Sequence, residues 1–105
     1  MTTTYKLIFA PEFVKDLDEK FSYISQTLQA ENAAKSLMKK IDDSIMNLKT
    51  YPEMYPTCNE PLDALGYRKI IVKNYVIIYS VDHSAKSVNL LRCFYGKQDY
   101  MKYFI

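Results

Sequence analysis

The spacing of apolar residues changes once along this chain, and that change constrains the fold more than any other feature. Up to about residue 50 the apolar positions recur every three or four residues; from residue 70 they run as short β-branched and aromatic blocks. The first pattern is the signature of a helix with one buried stripe, the second of strands. A single domain that carries both must pack helices against a sheet.

The chain opens on a short period-two segment, in which Tyr5, Leu7 and Phe9 alternate with Thr4, Lys6 and Ile8. Pro11 ends it and suits the first turn of a helix, with Glu12 at the positive end of the helix dipole. Phe13, Val14, Leu17, Phe21, Ile24 and Leu28 then form one stripe, with Lys15, Asp16, Asp18 and Glu19 outside it. A break near Gln29–Asn32 leads to a second stripe of Ala34, Leu37, Ile41, Ile45 and Leu48, with Met38 beside it, ending before Pro52. Two closely joined helices of this kind predict an antiparallel hairpin. A proline-punctuated connection over 51–66 closes at Gly66.

Three strands follow, at 70–72, 75–81 and 88–95. Lys73-Asn74 predicts a tight turn, because asparagine tolerates positive φ, and Asp82–Lys86 predicts a longer one. The expected fold class is α+β. Its order is β-α-α-β-β-β: an N-terminal strand, a helical hairpin and a three-stranded antiparallel meander, in one domain over 1–105. The helices pack on one sheet face, and the first strand joins at an edge.

Composition bounds the function. No apolar run approaches the roughly 20 residues that span a bilayer, and the first residues lack a secretory pattern, so a cytoplasmic protein is expected. Cys58 and Cys93 have no partner spacing for zinc and read as reduced, mostly buried thiols. The only histidine, His83, lies between Asp82 and Ser84 in a predicted turn, where neighbours cannot adopt triad geometry. The acidic pairs Asp18-Glu19 and Asp42-Asp43 read as solvated helix surface. Charge is uneven: residues 1–65 hold seven basic and ten acidic side chains, residues 66–105 seven basic and two acidic. The C-terminal part thus predicts an acidic or polyanionic partner. There Arg68, Lys69, Lys73, Arg92 and Lys97 are interleaved with Tyr67, Tyr75, Tyr79, Tyr95, Tyr100 and Tyr103. Cations of this kind neutralise phosphates and phenols stack on bases, while strand tyrosines also serve as packing.

Several pieces, in this order, resemble one family across nearly the whole chain: Tyr5 through Phe13, Leu48 with Tyr51-Pro52, Gly66-Tyr67-Arg68-Lys69-Ile70, Asn74 through Tyr79, and Leu91 through Tyr100. They are similar to the RelE/ParE superfamily of type II bacterial toxins. The resemblance implies a growth-arresting toxin held inactive by a cognate antitoxin, in a hetero-oligomer that reaches operator DNA only through the antitoxin. It implies no cofactor, no metal and no membrane. RelE-like members cut messenger RNA on the ribosome, and ParE-like members inhibit DNA gyrase. For the first activity it points to Arg68, Lys69, Arg92 and Tyr100 as catalytic groups. For target or antitoxin contact it points to Arg68, Lys69, Lys73, Arg92, Lys97 and Tyr103. Val76 and Gln98 stand where the ribonucleases often carry arginine. The long helical hairpin, the Gly96-Lys97-Gln98-Asp99-Tyr100 ending and the mild charge look closer to the ParE branch, which is the expected one. The alternatives are RNA cleavage and a non-toxic module that still binds an antitoxin.

Overall fold

The computed structural model describes residues 4–27, 29–58 and 62–96. Strand β1 (Lys6–Phe9) leads into helix α1 (Pro11–Ser22), and helix α2 (Glu31–Met46) follows. Strands β2 (Arg68–Val72), β3 (Tyr75–Asp82) and β4 (Ser87–Tyr95) complete the sheet in the order β1-β4-β3-β2. The meander is antiparallel, and β1 lies at the edge, parallel to β4, with Lys6 opposite Ser87 and Phe9 opposite Leu90. This is the α+β arrangement expected from the sequence. No helix among the described residues is long and apolar enough to cross a membrane.

Local chemistry accounts for the element ends. Pro11 occupies the first helical turn of α1, where its missing N–H costs nothing, and Lys20 sits in the last turn. After Ser22 the helix widens into a π turn, Tyr23–Thr27, and Gln29 takes a positive φ of 51° before α2 begins. The β2–β3 turn differs from expectation. Lys73, not Asn74, carries the positive φ, at 54°. Gly66, with φ at +77°, closes the connection before β2, where a side chain would be strained.

Phe13, Leu37, Ile41, Ile45 and Leu48 from the helical half pack against Ile70, Val72, Ile77, Tyr79, Val88, Leu90 and Cys93 of the sheet. The α2 stripe is buried as its spacing predicts. The α1 stripe is rotated. Val14 is 53% exposed, whereas Asp16, expected outside the stripe, is 6% exposed. At 100° per residue the buried direction of α1 therefore lies between Phe13 and Asp16, not between Phe13 and Val14.

The far face of the sheet is covered too. Cys58 and Leu62, from the connection before β2, pack on Val76, Ile78 and Phe94, with Tyr67 and Leu91 beside them. A 3-10 turn over Leu62–Leu65 presents that leucine. Both cysteines are free and buried.

Two substitutions test this packing. Leu48→Ala, at a fully buried site, should lower the unfolding free energy by about 2–5 kcal/mol. Gly96→Ala would place a Cβ 2.7 Å from the Asn74 carbonyl oxygen, and should cost about 1–3 kcal/mol. Urea titration followed by circular dichroism measures both, and a neutral Gly96→Ala would contradict the close approach of β4 to the β2–β3 turn.

Candidate functional surface

Strand register decides which basic side chains can act together, because directly paired residues project from the same face. Arg68 pairs with Tyr79, and Tyr79 with Leu90, both members of the helix-side core. Lys69 pairs with Ile78, and Ile78 with Arg92, so these three form a row on the far face. The register shift between Ile78 and Tyr79 leaves Leu91 as the extra residue of a bulge. Lys69 and Arg92 thus share a face, roughly 10 Å apart at the backbone across two strand spacings. Arg68 does not share it.

Arg68 is tied to the segment before β2. Its Nη1 donates to the Tyr55 carbonyl at 2.7 Å and to the Glu53 carbonyl at 3.3 Å, and its Nη2 to Glu53 Oε2 at 3.1 Å. Tyr79, counted among the base-stacking candidates, is fully buried and donates its hydroxyl to the Pro52 carbonyl at 3.0 Å. It is therefore a packing residue, and burial pushes its phenol up to about 12. Arg68 and Tyr79 together fix residues 52–55 to the sheet.

The network extends to His83 and Tyr5. Glu53 Oε1 lies 3.3 Å from His83 Nε2, and the Tyr5 hydroxyl lies 2.7 Å from His83 Nδ1. His83 does sit in an exposed turn, as expected, and from there it links Tyr5, just before β1, to Glu53 in the segment before β2.

Arg92 is clasped by Asp16. Its Nε donates to Asp16 Oδ2 at 2.7 Å and its Nη2 to Oδ1 at 3.1 Å, while the Cys93 backbone N–H donates to Oδ2 at 3.0 Å. The guanidinium also lies 4.9 Å over the Phe94 ring. Three donors satisfy a carboxylate that burial alone would strongly disfavour. The sequence carries a weak signal for this: Asp16 is three residues from Phe13 and so falls at the margin of the apolar stripe.

Lys69 is half-buried beside Cys58, whose thiol is pushed up by burial and drawn part of the way back by the lysine. Lys73 is exposed at the β2–β3 turn, and Tyr95 is half-exposed next to it. Lys97, Tyr100 and Tyr103 lie outside the described residues. Among the described residues no three His, Cys, Asp or Glu gather as a metal site.

A second concave surface lies on the helical side. Phe9, Phe13, Leu17, Met38, Ile41 and Ile45 line a groove of about 440 Å³ between the helices and β1. It continues past Leu17 and Met38 to Phe21, and past Phe9 to Met46.

Comparison with known proteins agrees with this architecture. The sequence profile of the ParE toxin of type II toxin–antitoxin systems matches residues 7–100. The fold is similar to a chain of the chromosomal ParDE toxin–antitoxin system of Pseudomonas aeruginosa, with a TM-score of 0.70 at 16% identity, over 89% of this chain and 97% of that one. It is also similar to a chain of the RelBE2 toxin–antitoxin complex of Mycobacterium tuberculosis, with a TM-score of 0.56 at 17% identity, over 88% and 98%. No curated protein sequence matches. The fold and the profile together define a RelE/ParE superfamily toxin. Within that superfamily the chain belongs to the ParE toxin family of type II toxin–antitoxin systems.

Two predictions follow from the geometry. In a double-mutant cycle, Asp16→Asn and Arg92→Ala should each destabilise the fold, Asp16→Asn by up to about 3–5 kcal/mol. The pair should show coupling of at least about 1 kcal/mol, and strict additivity would show that the clasp contributes nothing. The second prediction concerns alkaline pH. Burial pushes the Cys93 thiol from 9.0 up to about 11, and the Tyr79 phenol from 10.0 up to about 12. Both groups ionise more readily in the unfolded chain, so their contribution is complete below pH 9 and is lost between pH 9 and 12. Urea midpoints should fall across that window, and Cys93→Ala should flatten the fall between pH 9 and 11.

Proposed function

We propose that this protein arrests bacterial growth in the cytoplasm by binding DNA gyrase, without breaking a bond itself. The observation that carries this reading is the state of the far sheet face. A cleaving surface for RNA needs several cations converging on one phosphate, with a group placed to take the proton of the ribose 2′-hydroxyl. Here Cys58 and Leu62 cover Val76, Ile78 and Phe94 on that face. Arg92 is engaged by Asp16, and Arg68 lies on the opposite face, engaged by Glu53 and Tyr55. The match to the ParE profile supports the same branch.

The antitoxin reading rests on the helical groove. Its floor is apolar, with Phe13, Ile41 and Ile45 beneath Phe9 at the rim, and such a channel suits an amphipathic helix of a partner. The basic surplus of residues 66–105 suits an acidic tail on the same partner. In this reading the pair forms a hetero-oligomer, and operator DNA is bound by the antitoxin alone.

One observation favours the rival reading, a ribosome-dependent ribonuclease. Lys69 and Arg92 do share a row, and an RNA bound along it would meet both.

The deciding experiment adds the purified full-length chain to gyrase and relaxed plasmid. Supercoiling should be inhibited in proportion to the protein added, and messenger RNA 5′ ends mapped after induction in cells should stay unchanged. Normal supercoiling with excess protein, together with new 5′ ends in phase with codons, would overturn the proposal in favour of RNA cleavage.

A further inference from the structure

A cleft of about 730 Å³ opens where the end of α1 and its π turn face the β2–β3 turn and the end of β4. It is separate from the helical groove and from the Lys69–Arg92 row. Three tyrosines line it. Tyr75 is half-buried, and its ring meets that of Tyr95 edge-on, with centroids 5.6 Å apart and planes at 75°. Tyr23 and Tyr95 are 55% and 47% exposed. Burial pushes the Tyr75 phenol up, and Tyr95, Cys93 and Tyr23 add to the shift.

The polar groups of the cleft are Glu19, Lys20 and Asn74. A shallower depression of about 430 Å³ shares Asn74 and Tyr95 and adds Lys73. The backbone fixes this arrangement: the Gly96 N–H donates to the Asn74 carbonyl, an approach that only glycine permits. Tyr23 begins a π turn, a device that recurs at functional sites.

We propose that this cleft binds a purine nucleotide unit. The base packs against the exposed rings of Tyr23 and Tyr95, with Tyr75 beside them, since a phenol face accepts any planar base. Glu19 accepts hydrogen bonds from ring-edge N–H groups, which favours guanine, and Asn74 can both donate and accept. Lys20 and Lys73 serve a phosphate on either side of Tyr95. Charge decides against the other common occupant of a tyrosine cluster, a cationic side chain. Among the described residues such a cation would meet two lysines and a single carboxylate, whereas a phosphate-bearing base meets complementary charge. A free nucleotide and an unpaired base in a strand share this chemistry. The inference is independent of the gyrase reading.

The test is an NMR titration of the full-length, isotope-labelled protein with GMP, CMP, arginine methyl ester and a short purine-rich single strand. GMP or the strand should shift the signals of Tyr23, Tyr75 and Tyr95 saturably, with CMP and the arginine ester binding more weakly. Tyr23→Ala should weaken binding about tenfold, as expected for one stacked base, and Tyr23→Phe should retain it. Lys20→Met should weaken GMP more than guanosine. Binding of the strand but not GMP assigns the site to nucleic acid, and binding of GMP alone assigns it to free nucleotide. The proposal is overturned by the absence of saturable shifts with both, by equal affinity for arginine methyl ester, or by a folded Tyr23→Ala protein that binds as the parent does.

Discussion

Strand β1 covers the outer edge of β4 only as far as Leu90. Beyond that point the edge needs another partner, since an unpaired N–H near the core is costly. Asp16 supplies it. Its carboxylate accepts the Cys93 N–H and, with the same oxygen, the Nε of Arg92. One acid therefore finishes the sheet edge, seats α1 against β4 and fixes the direction of an arginine from the far face. An acid at 6% exposure is stable there because its three hydrogen-bond donors include a cation. The rotation of α1, which turns Val14 outward, follows from seating that carboxylate.

The same clasp shapes what the sheet can do. Arg92 reaches Asp16 while lying over the Phe94 ring. The far face beside it carries an apolar cluster closed by Cys58 and Leu62, with Lys69 in the same row as Arg92. The connection that carries these residues is held by Arg68, Tyr79 and Glu53, and Glu53 also engages His83. Basic side chains that look interchangeable in the sequence thus have separate tasks. Arg68 secures a loop, Arg92 an edge, and Lys73 stands exposed at a turn. The sheet is stabilised on both sides by apolar contact.

Much of the fold was legible in the residue pattern. The α2 stripe of Ala34, Leu37, Ile41, Ile45 and Leu48 is buried throughout, because a helix with one strongly apolar face has only one way to turn. The meander was equally plain, whereas pattern alone could not place β1, which pairs with β4 at the sheet edge. Turn chemistry was less so: Lys73 takes the positive φ that asparagine was expected to provide. Tyr79 could not be distinguished from Tyr95 by pattern, since both lie in aromatic strands and only packing separates a buried phenol from an exposed one.

The sequence by itself determined the class of fold, the order of its elements, the family resemblance and the basic bias of the second half. These are properties of spacing and composition, which act locally and survive without knowledge of neighbours. Tertiary structure alone decided that Asp16 is buried, that Arg68 and Arg92 lie on opposite faces, and that Glu53, His83 and Tyr5 meet. The physical reason is register. A strand alternates its faces at every residue, so a bulge or a one-residue shift in pairing reassigns a side chain from one surface to the other. Local pattern places Asp16 no more than at the margin of a stripe, and it does not pair that residue with Arg92, 76 positions away.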